Sequence, residues 1–116
     1  MHEDHDPRAA EENRLLRALP ADEYARLLPF LEPVELGNGH VLWQSNRAIH
    51  SVYFPRSCVV SLLTPLLNEP PVEAATVGRE GIVGTALVLG AVTTSAQALA
   101  QVAGTAARMD AERFAS

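Results

Sequence analysis

Three glycines fall within Val77 to Gly84, which reads Val-Gly-Arg-Glu-Gly-Ile-Val-Gly, directly after an apolar run and ahead of a stretch without a charged side chain as far as Ala107. Glycine takes positive φ without steric penalty and lets a backbone or ligand come close, so the cluster predicts a tight turn or an anion-binding loop. Of these two, the turn is the commoner use of glycine. The chain must therefore reverse sharply here, between segments that read as strands.

The rest of the chain supports a mainly β domain. Val34–Leu36 and Val41–Trp43 flank Gly37-Asn38-Gly39, which can supply the positive φ of a hairpin. Further strands are expected at Ile49–Phe54, Val59–Leu66, Val72–Val77, Ala96–Val102 and Thr105–Met109, with a turn at Asn68-Glu69-Pro70-Pro71 because prolines cannot donate to a ladder. Ahead of the strands, Arg8–Leu19 predicts a helix packing Leu15, Leu16 and Leu19, and Ala21–Leu28 a second one packing Tyr24, Leu27 and Leu28. Asp22 and Glu23 suit the positive end of that helix's dipole, and Pro29 should stop it. Asp110 is placed to cap a helix starting at Ala111.

At 116 residues the chain suits one domain. Its 47% hydrophobic content is rich in alanine and valine, which predicts a core of small side chains between sheets. The net charge is −5 and every cation other than histidine is a scattered arginine, so no direct nucleic-acid binding is expected. Cys58 has no partner for an intramolecular disulfide, and no signal peptide opens the chain, so a cytoplasmic location is expected. His2 and His5 stand among acids in a polar tail that reads as a frayed terminus. The uncharged run from Gly81 to Ala107 is long enough for a bilayer of about 30 Å. Its glycines, hydroxyls, Gln97 and Gln101 argue instead for two buried strands and a loop, with no membrane span.

Leu36-Gly37-Asn38-Gly39-His40-Val41-Leu42, Val52-Tyr53-Phe54-Pro55, Val59-Val60-Ser61-Leu62-Leu63, the Val77–Gly84 cluster and Gln101-Val102-Ala103-Gly104-Thr105-Ala106 stand in an order and spacing that resembles the sensor domain of CRP/FNR-type transcription regulators. The likeness runs from about Asn13 to Phe114. It implies a cyclic-nucleotide-binding-like β-roll, a double-stranded β-helix or jelly roll, with N-terminal helices and the start of a C-terminal helix. On this frame residues 1–12 are a flexible tail and helix start, 13–109 the β-roll, and 110–116 the start of the last helix. The family also implies a long dimerisation helix and a helix-turn-helix, and neither fits here, so the chain is expected to be a truncated regulator, a stand-alone sensor or a fragment of a longer reading frame. The six residues after Asp110 make about 9 Å of helix, so a homodimer is expected to be weak or absent.

Members that bind cyclic nucleotides use a glycine, a glutamate on the ribose hydroxyl, and an arginine followed by a small hydroxyl residue on the phosphate. Placing Gly84 on the cassette glycine puts Thr85 at the glutamate position and Ser95 at the arginine position, with Ala96 and Gln97 after it. The resemblance thus implies a ligand pocket, by position, whose charged anchors are replaced, and tight binding of a cyclic nucleotide is not expected. Arg79 beside Glu80 reads as a turn arginine paired locally rather than as a substitute anchor. Ser45 and Cys58 stand where many members carry turn glycines.

Other chemistries of the family find less support. An iron–sulfur cluster needs about four thiolates, and Cys58 is single; it is kept as a candidate redox thiol. His40 and His50 have no paired second ligand for haem or a metal, so no cofactor is expected. No nucleophile elbow, phosphate loop or paired-histidine helix is present, and an enzyme is not expected. The alternatives are a small cupin-like metal-dependent enzyme, which would require converging histidines and a glutamate, or an interaction protein that modulates full-length relatives. The partner of the leading reading is a small-molecule effector of unknown identity.

Overall fold

The computed structural model describes residues 13–84 and 96–110. Two short helices, α1 (Arg14–Ala18) and α2 (Ala21–Leu27), lead through a single 3-10 turn (Leu28–Phe30) into seven strands. These are β1 (Glu32–Leu36), β2 (Val41–Trp43), β3 (Ser51–Pro55), β4 (Val59–Leu66), β5 (Glu69–Val77), β6 (Gln97–Val102) and β7 (Gly104–Asp110). They form a three-stranded sheet in the order β1-β7-β3 and a four-stranded sheet in the order β2-β6-β4-β5, antiparallel throughout. The chain changes sheet between β1 and β2, β2 and β3, β3 and β4, and again between β6 and β7. Only β4 and β5 are both consecutive and paired, so the architecture is a roll rather than a meander.

The three-stranded sheet is covered on both faces, and its sequence shows why. Along β3, Val52 and Phe54 join Ala107 and Met109 of β7 against Leu16 and Tyr24 of the helices. Tyr53 and Ala106 point the other way, into the roll, where they meet Leu36, Trp43, Val60, Ala98 and Ala100. A strand buried on both sides reads as the near-continuous apolar run Val-Tyr-Phe-Pro found there. The small-residue core expected from composition is present as Ala98, Ala100 and Ala106, all fully buried. On the outer end of this sheet the Arg108 guanidinium donates to the Glu32 carboxylate directly across the β1–β7 pair.

Several local expectations change. Gly37-Asn38-Gly39 does turn, with Gly39 at φ 84° and the His40 N–H on the Gly37 carbonyl at 3.0 Å, but β1 and β2 do not pair as a hairpin. The turn is instead docked on β6, the Gly39 N–H reaching the Ala100 carbonyl at 2.8 Å, because it carries the chain from one sheet to the other. Asn68 takes φ 62° in the tight turn after β4, yet Pro70 and Pro71 lie inside β5 rather than in the turn. They are tolerated because β5 is an edge, and the register slips beside them, between the Thr64–Val72 and Leu66–Glu69 pairs. The first helix begins at Arg14 within the described residues, Leu15 is 42% exposed, and Leu16 alone of the helix is buried. Leu28 is exposed as well, because the α-helix tightens into the 3-10 turn before Pro29. The run from Gly81 to Ala107 contains β6 and most of β7, so it is not one helix, and among the described residues no helix is long and apolar enough to cross a membrane.

Two contacts lock the roll. Asn13 is fully buried and uses its whole carboxamide: Oδ1 accepts from Leu15 N at 3.0 Å and Leu16 N at 3.1 Å, while Nδ2 donates to the carbonyls of Pro55 and Gly81, each at 2.8 Å. Directly after Pro55 the backbone N–H groups of Arg56, Ser57 and Cys58 converge on the Thr105 carbonyl at 2.9, 3.1 and 3.4 Å. Gly104 lies so close to that bend that a β-carbon would stand 2.5 Å from Cys58 N. Gly104→Ala is therefore expected to destabilise by about 3 kcal/mol in urea unfolding, since the colliding atoms are backbone. Asn13→Asp keeps the helix cap but turns an acceptor toward two carbonyls; it is expected to lose about 3 kcal/mol in the same measurement, against nearly nothing at an ordinary cap.

Candidate functional site

The connection from β5 to β6 holds the residues singled out in the sequence. It opens with a turn in which the Gly81 N–H donates to the Gly78 carbonyl at 3.1 Å. The Glu80 carboxylate accepts from the Gly78 N–H at 3.1 Å, and this backbone bond, ahead of the Glu80 N–H and the Arg14 charge, holds its pKa below the ordinary carboxylate value. Glu80 is thus held by backbone rather than by Arg79, whose side chain is exposed and whose carbonyl accepts from Arg14 N. The helix is tied to this turn a second time through Asn13 and Gly81.

Val83 then pairs with Tyr53 by two backbone bonds, of 3.0 and 2.8 Å, adding one rung to the free edge of β3. Gly84 follows at φ 113°, and a β-carbon there would lie 2.9 Å from Val52 Cγ1 and 3.4 Å from Val52 Cα. Backbone conformation and lack of space both demand glycine at this position. Residues 85–95, which include Thr85 and Ser95, lie outside the described residues. The chain is described again at Ala96, whose carbonyl accepts from Trp43 Nε1 at 3.1 Å, and at Gln97, which opens β6 opposite Leu63. The two ends of the connection are therefore anchored on different sheets, Gly84 on β3 and Ala96 against Trp43 of β2.

No protein-family model matches the chain, and no curated protein matches it in sequence. Solved structures do match in three dimensions. A regulatory subunit of a cAMP-independent protein kinase A from Trypanosoma cruzi bound to guanosine superposes with a TM-score of 0.80 at 15% identity, covering 96% of this chain and 40% of its own. The sensor domain of the transcriptional regulator DNR from Pseudomonas aeruginosa gives 0.72 at 16% identity, with 86% and 67% covered, and the catabolite activator protein of Thermus thermophilus 0.72 at 19%, with 86% and 47% covered. The fold is the cyclic-nucleotide-binding β-roll. The chain spans less than half the length of two of these neighbours and two-thirds of the third.

Within this β-roll, the sequence had marked Gly84, Ala96 and Gln97 but not the residues that hold them. Asn13, Val52 and Trp43 do that work from the helix, β3 and β2. Asn13 carried a readable signal, a cap residue before Arg-Leu-Leu, which was obscured by starting the helix at Arg8. Ser45, at a family glycine position, is not in the left-handed region; that conformation falls on Asn46, at φ 60°. His40 and His50 are exposed on separate turns, and among the described residues no three potential metal ligands come together.

Cys58 packs into the roll interior with Val60, Ala100 and Ala106 and is 1% exposed. Burial pushes its thiol pKa up, which lowers the thiolate fraction on which reactivity depends. Ellman's reagent is expected to label Cys58 at least about 100-fold more slowly in the native protein than a free thiol, and one equivalent per chain after unfolding. Rapid native labelling would mark it as an accessible redox thiol.

Proposed function

We propose that the chain is the sensor domain of a CRP/FNR-like transcription regulator, without enzymatic activity, whose ligand cassette has lost the charged anchors for a cyclic nucleotide. One observation carries this reading. The β-roll supplies the frame of the cassette, with Gly84 pressed on Val52, while the sequence supplies no Asp, Glu, Arg or Lys between Gly81 and Ala107. A cyclic phosphate entering there would lose water and meet hydroxyls and backbone amides, without the charge-assisted pair that contributes roughly 1.5–3 kcal/mol.

Residues 13–109 form the sensing unit on this reading, although Asp110, placed in the sequence at the start of a last helix, is the final residue of β7. The pocket positions are Gly84, Thr85, Ser95, Ala96 and Gln97, and Cys58 serves packing rather than redox sensing. The effector is a small, uncharged molecule; the neighbour bound to guanosine supports a nucleoside without phosphate as its class. The domain works in the cytoplasm and makes no direct contact with nucleic acid.

Calorimetric titration tests the reading. Cyclic AMP and cyclic GMP are expected to bind no tighter than about 100 μM, and Ser95→Arg should raise cyclic AMP affinity by about one to two decades. Micromolar binding of either cyclic nucleotide to the unaltered chain would overturn it.

A further inference from the structure

The segment from Leu42 to His50 forms a concavity whose lining does not include Gly84. Leu42, Trp43, Gln44, Arg47, Ala48 and His50 line an open cleft of about 540 Å³, a volume in the range of small-ligand sites. Its shape comes from the turn after β2, closed by the Arg47 N–H on the Gln44 carbonyl at 3.2 Å, with Asn46 in the left-handed region. Arg47, from that turn, and His50, just ahead of β3, both line the cleft. The floor is fixed by Trp43, which is 8% exposed and whose indole N–H is committed to the Ala96 carbonyl.

Among the residues that line the cleft there is no acid, and Arg47 carries the formal charge. From Leu36 to Asn68 the sequence holds no aspartate or glutamate, while it holds His40, Arg47, His50 and Arg56. Neither of the two ion pairs formed among the described residues, Glu23–Arg26 and Glu32–Arg108, involves Arg47. Asp110, opposite Ser51 on β7, is the acid that the strand register brings beside this segment. A guanidinium fork and an imidazole, with a wall of Leu42, Trp43 and Ala48, match an oxyanion on a small apolar body.

We propose that this cleft binds a small organic oxyanion, a carboxylate or a phosphate ester with an aromatic or aliphatic body, with Arg47 as the principal charge partner and His50 and Gln44 as further polar contacts. The lining shares no residue with the positions Gly84, Ala96 and Gln97, and the ligand would lie against the indole that anchors Ala96.

Trp43 is the single tryptophan of the chain, so intrinsic fluorescence reads this cleft directly. Benzoate and phenyl phosphate are titrated at constant ionic strength, with benzyl alcohol as the uncharged control. The expected result is a saturable change with at least one of the anions at low-millimolar concentration, no comparable change with benzyl alcohol, and a loss of affinity of about fivefold or more in Arg47→Gln. Arg47 is exposed, so thermal unfolding of that variant should match the parent; His50→Gln provides a second reading. Absence of saturation by either anion, an equal response to benzyl alcohol, or a response that survives both substitutions unchanged would overturn the proposal.

Discussion

The carboxamide of Asn13 joins three parts of the molecule that are far apart in sequence. Its oxygen caps α1, and its nitrogen holds the end of β3 and the glycine turn together through the Pro55 and Gly81 carbonyls. Both lone pairs and both hydrogens are used in a site without water, where an unmade bond costs most. The helix therefore cannot leave the sheet without exposing the turn that leads to Gly84. This makes the N-terminal helix part of the candidate site's support rather than an appendage to the barrel.

The roll depends equally on close approach of backbone at its corners. Strands that change sheet need bends whose N–H groups still find partners, and the bend after β3 meets this need by directing three of them at the Thr105 carbonyl. Gly104 is the counterpart on β7, without a side chain because the bend occupies that space. At the other end of the four-stranded sheet β5 remains an open edge, and its two prolines reduce the hydrogen bonds it can offer to another strand. The same geometry explains why β3 is apolar on both faces, whereas β5 is exposed along nearly its whole length.

Charge is distributed to match. Acids lie on α2, on β1 and from Glu69 to Glu80, whereas Leu36 to Asn68 carries histidines and arginines without acids. From Gly81 onward the connection that would hold a ligand has neither sign. A pocket of that kind selects by shape and neutral hydrogen bonding, and it gains little from the phosphate that anchors a charged nucleotide. The cationic cleft beside Trp43 is a different electrostatic environment, set at the point where this neutral connection returns to the sheet.

Strand positions were legible because β-branched and apolar runs broken by glycine and proline specify local extension; β4 at Val59–Leu66 agrees residue for residue. So were the uncharged run from Gly81 to Ala107 and the tight backbone of the Val77–Gly84 glycines, since composition and spacing are written in the chain itself. Pairing was not legible. Gly37–Gly39 turns in the same way whether its flanking strands join each other or separate to β7 and β6, because φ and ψ at three residues carry no information about partners many positions away. Nor did the leucine pattern of the first helix show that Leu16 is buried and Leu15 exposed, which follows from the angle Asn13 imposes on the helix. Local residue chemistry determined the elements and the charge of the site; long-range hydrogen bonds and backbone packing decided which of them meet.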